Sequence, residues 1–389
     1  MTWSLRKSRD LYFNIAGDDP RSSGWVDEVS RLREAGHEVP GANELLDWDP
    51  SARDSHSNCP KLDGLVRELK DLVLPEWRAR AGAICAGRSR LTEDLARAGT
   101  GSKGGFVVIS FDYMYAMEGA AITWGDFLQY LDAVWSNPQR ALLAKEYRDA
   151  LFSAFAQIRD LGVAGLLPSR IFSVSTKQRR VRAAEMQQSA ELWVIAHELA
   201  HHILRDGTSR PDRAAQAVVR QVLSEPDFAI ELTELNRTQH GEIEADVLAM
   251  LLVAGEYAGD ADPGTEIQAA EGAMVGLLAV GLLGGDWVAL PTDTHPPTLT
   301  RMAIVAKVAA RRIFALEQLD QSWREELIRS LATMLTFAAW LSEVHICGGS
   351  MDDADPALRG AVQPRADMIM ASTRLMLRPD VQMFENGRL

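Results

Sequence analysis

The pattern of apolar and polar positions predicts long helices joined by short polar connections. A helical pattern covers about 61–97, and further helices are predicted near 123–135, 141–161, 183–205, 213–223, 242–257, 265–284, 297–318 and 321–344. Residues 106–110 and 171–175 are short and rich in β-branched and aromatic side chains, which is typical of strands; the first could extend through Tyr115. The sequence therefore predicts a mostly helical α+β fold with a small sheet packed on the helix near 183–205.

The strongest chemical signal lies on that helix, in the segment His197-Glu198-Leu199-Ala200-His201. Positions i and i+4 share one helical face, so both imidazoles can hold one metal ion, and zinc is the metal this spacing favours. Glu198 is rotated by about 100° from His197, beside the metal, where a general base for a zinc-bound water would lie. The alternative is a core helix with hydrogen-bonded histidines. His202 points away from His201 and is predicted to pack or to hydrogen-bond.

A third ligand is available on the next acidic helix, where Glu242 and Asp246 lie four residues apart on one face. Glu242 is predicted to bind the metal. Asp246 is predicted to accept the free ring N–H of a ligating histidine, which fixes the tautomer of that ring. Glu244 faces away. The alternative is that Glu242 and Glu244 are surface acids that favour the N-terminal end of a helix.

A third segment reads Thr294-His295-Pro296-Pro297 and continues to Arg301. The two prolines begin a helix, because proline is tolerated in the first turn, and His295 is therefore held at a helix entry. The alternative is that Thr294 caps the helix, the prolines end the preceding loop, and Arg301 is a surface residue.

Together the three segments resemble the gluzincin metallopeptidases of the prenyl-protein-endopeptidase and heat-shock-membrane-protease type. These enzymes show His-Glu-x-x-His, then Glu-aromatic-x-Ala-Asp, then Thr/Ser-His-Pro-x-x-x-x-Arg. The resemblance covers roughly 165–310, and Ile243 stands where the family has an aromatic residue. It implies that His197, His201 and Glu242 bind zinc, with Glu198 as the base and Asp246 behind the ligands. It also implies that His295 helps to hold the substrate or the developing oxyanion.

The function expected from these residues is zinc-dependent hydrolysis of a peptide bond in a peptide or protein substrate. Tyr113, Tyr115 and Tyr257 are further candidates for stabilising the oxyanion, and either predicted strand could pair with an extended peptide. One alternative is a non-catalytic sensor or interaction module that keeps zinc for stability; the presence of Glu198 favours an enzyme over it. Another is a tailoring hydrolase that acts on a small or modified amide.

The composition restricts the cellular compartment and the classes of partner that we expect. The net charge of −13 argues against a nucleic-acid partner. The longest apolar run, 273–285, is too short for a membrane span, and no signal peptide is recognised at the N-terminus. Three widely spaced cysteines indicate reduced thiols, so a cytoplasmic protein is expected. The oligomeric state stays open.

Residues 98–105 contain four glycines and interrupt the helical pattern, which makes this stretch the best candidate for a domain boundary. The predicted division is a mostly helical N-terminal region of unassigned role at 1–104, a zincin-like metallopeptidase domain at 105–345, and a C-terminal tail at 346–389.

Overall fold

The computed structural model describes residues 3–16, 24–36, 43, 47, 49, 52, 54–89, 96–101, 104–136, 177–206, 209–233, 235–259, 263–284, 287, 295–315 and 320–347. The helices are α1 (Leu5–Ala16), α2 (Gly24–Glu34), α3 (Pro60–Leu72), α4 (Pro75–Ala81), α5 (Phe111–Ser136), α6 (Lys177–Asp206), α7 (Arg210–Leu223), α8 (Ala229–Thr233), α9 (Arg237–Val253), α10 (Pro263–Gly284), α11 (Thr298–Ala315) and α12 (Gln321–Cys347). A short 3-10 helix (Pro226–Phe228) precedes α8. The strands are β1 (Ile84–Ser89), β2 (Ala96–Gly101) and β3 (Gly104–Ser110).

The predicted helix over 61–97 is wrong in its second half, where β1 and the start of β2 occur. The helical part ends with α4, and side chains then point alternately to the two faces of the sheet, with a period of two. Ile84 and Ala86 join the main hydrophobic core, whereas Cys85 between them packs with Tyr12 of α1 on the opposite face of the sheet. A strand with both faces covered lacks the clean polar alternation that would have identified it.

The first predicted strand is confirmed as β3, but it does not extend through Tyr115. Ser110 ends the strand, and its Oγ accepts a hydrogen bond of 3.0 Å from the backbone N–H of Tyr113. Such a serine begins a helix, so the chain continues as α5 from Phe111. The predicted helix at 141–161 and the predicted strand at 171–175 lie outside the described residues.

The three strands form one sheet in the order β1-β3-β2, with β1 parallel and β2 antiparallel to β3. Because β3 is paired on both sides, residues 106–110 do not form the free edge that a peptide would need. The predicted division between residues 104 and 105 falls at the start of β3, and β1 and β2, from the predicted N-terminal region, both pair with β3. Helix α1 covers one face of the sheet, and the main core covers the other.

Helix α6 lies at the centre of the fold, packed against α5, α9 and α10, and it also contacts β2. This arrangement confirms the predicted mostly helical α+β architecture with a small sheet on that helix. Within the described part of the chain, one segment, Gly264–Gly284, is long and apolar enough to cross a membrane. The expectation that the apolar run around 273–285 is too short for a span is therefore wrong by length and composition. However, 67% of the most apolar stretch of this helix is buried inside the fold, which fits a helix of the hydrophobic core.

Candidate metal centre

Three predicted ligands converge between α6 and α9. His197 and His201 project from α6, and Glu242 projects from α9, so that one potential ligand atom of each lies within 4.8 Å of the others. The two Nε2 atoms are 3.0 Å apart. Glu242 Oε2 lies 3.4 Å from His197 Nε2, and its Oε1 lies 3.3 Å from His201 Nε2. These three residues could hold a metal ion.

The separations match the geometry of a tetrahedral metal. Metal–nitrogen and metal–oxygen bonds of about 2.0–2.1 Å at tetrahedral angles place neighbouring ligand atoms about 3.3 Å apart. The two histidine Nε2 atoms are 3.0 Å apart, and each lies 3.3–3.4 Å from one of the two oxygens of Glu242, so these separations lie around this value.

Local sequence explains why the ligands meet. Residues of α6 flanking the histidines, such as Ile195 and Leu199, are fully buried and fix the helix in the core. Helix α9 begins with a capping box formed by Asn236 and Gln239, and Glu242 follows one turn later. Ile243, at the position where the resembling family has an aromatic residue, is fully buried and packs in the main core.

Asp246 lies on the Nδ1 side of His197, whereas Glu242 lies on the Nε2 side of the same ring. Its Oδ1 is 2.9 Å from His197 Nδ1, although the ring N–H is not well directed at it. Arg301 of α11 makes a two-pronged contact with the same carboxylate: Nε donates to Oδ2 at 2.8 Å, and a terminal nitrogen donates to Oδ1 at 2.7 Å. Arg301 is only 5% exposed, so the alternative interpretation of this arginine as a surface residue is wrong.

Burial and charge together set the protonation of the metal-free site. Burial opposes a charge on His197, but contacts with Asp246 and Glu242 outweigh it and raise the pKa of His197 to about 10. Burial likewise opposes ionisation of the two carboxyls. Arg301 nevertheless holds the pKa of Asp246 below its ordinary value, and the two histidines hold the pKa of Glu242 well below its own. The site therefore keeps ionised carboxylates in a buried position, which favours a cation.

The two predicted catalytic residues flank this cluster. Glu198 is half-buried and, within the described residues, makes no hydrogen bond or ion pair, so its carboxylate is available for proton transfer. The side chain of His295 is 60% exposed, and its Nε2 lies 3.9 Å from Glu242 Oε2. His295 therefore lies at the solvent-facing rim of the cluster, whereas Glu198 lies beside the helix face that carries the ligands.

The remaining histidine and tyrosine candidates from the sequence lie in or against the hydrophobic core. His202 packs edge-on against Trp3 with ring centroids 5.2 Å apart, and burial lowers its pKa to about 3, which agrees with the predicted packing role. The hydroxyl of Tyr113 donates to the carbonyl of Gly276 at 3.0 Å. Tyr257 packs against Trp77, and Tyr115 is buried.

Two residues of the site had no predicted role, Arg301 and Gln239. Arg301 matches the last position of the family pattern, which was the available signal. Gln239 completes the capping box and also reaches His295, whose main-chain carbonyl accepts a hydrogen bond of 3.2 Å from Gln239 Nε2. The spacing of Asn236 and Gln239 predicts only the capping box, not the second contact.

Comparison with known proteins adds one finding. Residues 135–324 match the family model described as Peptidase U49. The matched region is just under half of the chain and contains all three motif segments. The match supports a peptidase, hence a hydrolase that acts on a peptide or protein substrate. No curated protein and no solved structure was found to match the chain.

Proposed function

We propose that the protein is a zinc-dependent metallopeptidase in which His197, His201 and Glu242 bind zinc and Glu198 is the general base. The observation that carries the proposal is the convergence of two imidazole nitrogens, 3.0 Å apart, with the oxygens of Glu242, each 3.3–3.4 Å from one of them. Beside them lies Glu198, which makes no hydrogen bond or ion pair among the described residues. Two imidazoles and one carboxylate are a ligand set found in catalytic zinc sites, which keep a fourth position for water.

The charges of the site fit a divalent cation. Glu198, Glu242 and Asp246 bring three negative charges, and Arg301 balances one of them through its contact with Asp246. Two negative charges remain, which zinc would neutralise. Asp246 beside Nδ1 of His197 would favour the tautomer that leaves Nε2 free to bind the metal.

Zinc bound there would lower the pKa of a coordinated water towards about 7 and polarise the scissile carbonyl. Glu198 would accept the proton of the attacking water and later deliver it to the leaving amine. His295, on the exposed rim, would contact the substrate or the developing oxyanion. Arg301 would hold Asp246, and Asp246 would hold the ring of His197.

The test combines metal analysis with peptide cleavage. The wild-type protein should contain about one zinc per chain, and the His201→Ala variant should lose it. Glu198→Gln keeps the size of the side chain but cannot accept a proton, so it should retain zinc and lose at least about 100-fold in the rate of cleavage of a mixed peptide library. Glu185→Gln, an exposed acid on the same helix, is the matched control and should keep full activity.

Two outcomes would contradict the proposal in different ways. Equal cleavage by Glu198→Gln and the wild type would remove Glu198 from the mechanism. Full zinc content without cleavage of any peptide would favour the non-catalytic module, in which zinc contributes only stability.

A further inference from the structure

The segment that carries His295 is attached directly to the helix that carries Glu242. The contact is the hydrogen bond from Gln239 Nε2 to the main-chain carbonyl of His295, 3.2 Å long. Gln239 lies in the first turn of α9, three residues before Glu242, so both side chains lie on one side of the helix. Gln239 is 1% exposed, so its amide is a buried polar group that needs partners for both its oxygen and its nitrogen.

The orientation of this amide is fixed by the capping box. Gln239 Oε1 accepts from the backbone N–H of Asn236 at 3.0 Å, while Asn236 Oδ1 accepts from the backbone N–H groups of Thr238 and Gln239. Because the oxygen of the amide is held by the helix start, its nitrogen must point towards His295. Reversing the amide would place a donor against the N–H of Asn236 and an acceptor against the carbonyl of His295, and both contacts would be lost.

The prolines that follow His295 restrain its backbone on the C-terminal side. Pro296 and Pro297 are buried and lead into α11, whereas the imidazole of His295 is 60% exposed. The position of the His295 backbone sets where the exposed ring can reach. Gln239 supplies a restraint on that backbone from α9.

We infer that Gln239 is a positioning residue that holds His295 at the rim of the metal cluster, next to Glu242. The inference rests on the proposed function, in which His295 contacts the substrate or the developing oxyanion. It assigns two tasks to one amide: the oxygen completes the start of α9, which presents Glu242, and the nitrogen anchors the backbone of His295. Helix α9, which carries Glu242, and the backbone of His295 are thereby fixed relative to each other.

The test compares four variants. Gln239→Met keeps the length of the side chain and removes both contacts of the amide. Asn236→Ala is the matched control, because it weakens the same capping box but leaves the bonds of the Gln239 side chain in place. His295→Ala removes the imidazole and shows how much activity depends on it. The double variant Gln239→Met/His295→Ala measures the coupling between the two residues.

The first readout is the cleavage of a peptide substrate at full zinc loading. Gln239→Met should lower kcat by about 10- to 100-fold, since a displacement of about 1 Å of a group at the reacting centre has effects of this order. Its KM should change much less, and Asn236→Ala should stay near the wild type in both constants. The double variant should be slower than His295→Ala by no more than the small effect seen in Asn236→Ala, because the helix cap is the only other task assigned to the amide.

The second readout does not need activity. The protein is labelled at its histidine rings with carbon-13 and loaded with cobalt(II), whose unpaired electrons shift the signals of nearby nuclei. The signal that disappears in His295→Ala identifies His295. In Gln239→Met this signal should lose most of its paramagnetic shift, while the signals of His197 and His201 should stay shifted. In Asn236→Ala all three should resemble the wild type.

The outcomes separate this inference from the proposed function. If cobalt shifts no histidine signal, the metal site itself is wrong, and the inference fails with it. If His197 and His201 are shifted but Gln239→Met leaves kcat and the His295 signal unchanged, the metal site stands and Gln239 has no positioning role. If His295→Ala cleaves peptide as fast as the wild type, there is no catalytic group to position, and the inference is overturned.

Discussion

The contact between Arg301 and Asp246 allows a prediction about the coupling of stability to the metal site. Replacing Arg301 by Met preserves much of the volume of the side chain and removes both hydrogen bonds to Asp246. Asp246 is fully buried, and Arg301 is 5% exposed, so water cannot replace the lost guanidinium. The carboxylate is left with His197 as its remaining charged contact among the described residues.

The size of the effect follows from the cost of an unpaired buried charge. Removing one partner of a buried ion pair destabilises a protein by about 3–5 kcal/mol. In the metal-free protein His197 is protonated at neutral pH, since its pKa is about 10, and it compensates part of the charge of Asp246. We therefore expect the free energy of unfolding to fall by an amount near the lower end of this range, about 3 kcal/mol. Zinc affinity should fall roughly 10- to 100-fold, because Asp246 no longer holds the ring of His197 firmly.

The assay measures both quantities on the same set of variants. Urea unfolding of the metal-free proteins gives the free energy of unfolding, and competition with a chromogenic chelator gives zinc affinity. Arg301→Lys keeps the charge but loses the two-pronged geometry, so it should lie between wild type and Arg301→Met. Arg311→Met, on the same helix but in a partly exposed pair with Glu225, is the control and should cost about 1 kcal/mol or less.

A double variant separates the structural role from the orienting role. Asp246→Leu/Arg301→Met removes both buried charges, so stability should return to within about 1–2 kcal/mol of the wild type. Zinc affinity should remain low, because nothing orients His197. The reasoning would be refuted if Arg301→Met lost no more stability than Arg311→Met. It would also be refuted if the double variant regained wild-type zinc affinity.

Three further predictions follow from the structure. Because the pKa of His197 is raised from 6.5 to about 10, its protonated form stabilises the metal-free fold; this contribution is complete below about pH 6.5 and is lost as the pH rises through about 10. The urea midpoint of metal-free wild type should therefore fall more between pH 7 and 10 than that of His197→Ala. His202→Leu should keep one zinc per chain by metal analysis, since His202 packs on Trp3. Gly87→Ala should destabilise the protein by roughly 1–3 kcal/mol in urea unfolding, because the new Cβ would lie 2.2 Å from the ring of the buried Tyr12; an unchanged midpoint would contradict the packing of α1 on the sheet.

The helices that carry the site could be predicted from the sequence, although their predicted limits differ from the observed ones by up to six residues. The predicted ranges 183–205, 242–257 and 297–318 correspond to Lys177–Asp206, Arg237–Val253 and Thr298–Ala315. The helices could be recognised because they are long and largely apolar, whereas the capping box at Asn236 that begins α9 was not recognised. The proximity of the ligands could be predicted too, because the spacing of four residues fixes two side chains on one helical face before any packing is known.

The remaining features depend on contacts between distant parts of the chain. Strand β1 was predicted as helix because its pairing with β3 and its burial on both faces are properties of the sheet, not of the segment. The contact of Arg301 with Asp246 spans 55 residues, and that of Gln239 with His295 spans 56. The local sequence alone is explained by a surface arginine in the first case and by a helix cap in the second. The longer-range contacts become visible only when α11 packs against α9.

The electrostatics of the cluster explain why a cation site can be compatible with a stable metal-free fold. A site for a divalent cation must keep carboxylates close together, and their repulsion in a buried position opposes folding. Here Arg301 neutralises Asp246 through the oxygens that face α11, and a proton on His197 offsets the charge of Glu242. Arg301 does not bind Glu242 directly, so the oxygens of Glu242 stay directed at the two histidines. Binding of a metal would then replace the proton of His197 without breaking the contact between Arg301 and Asp246 that links α11 to α9, so metal affinity should depend on pH.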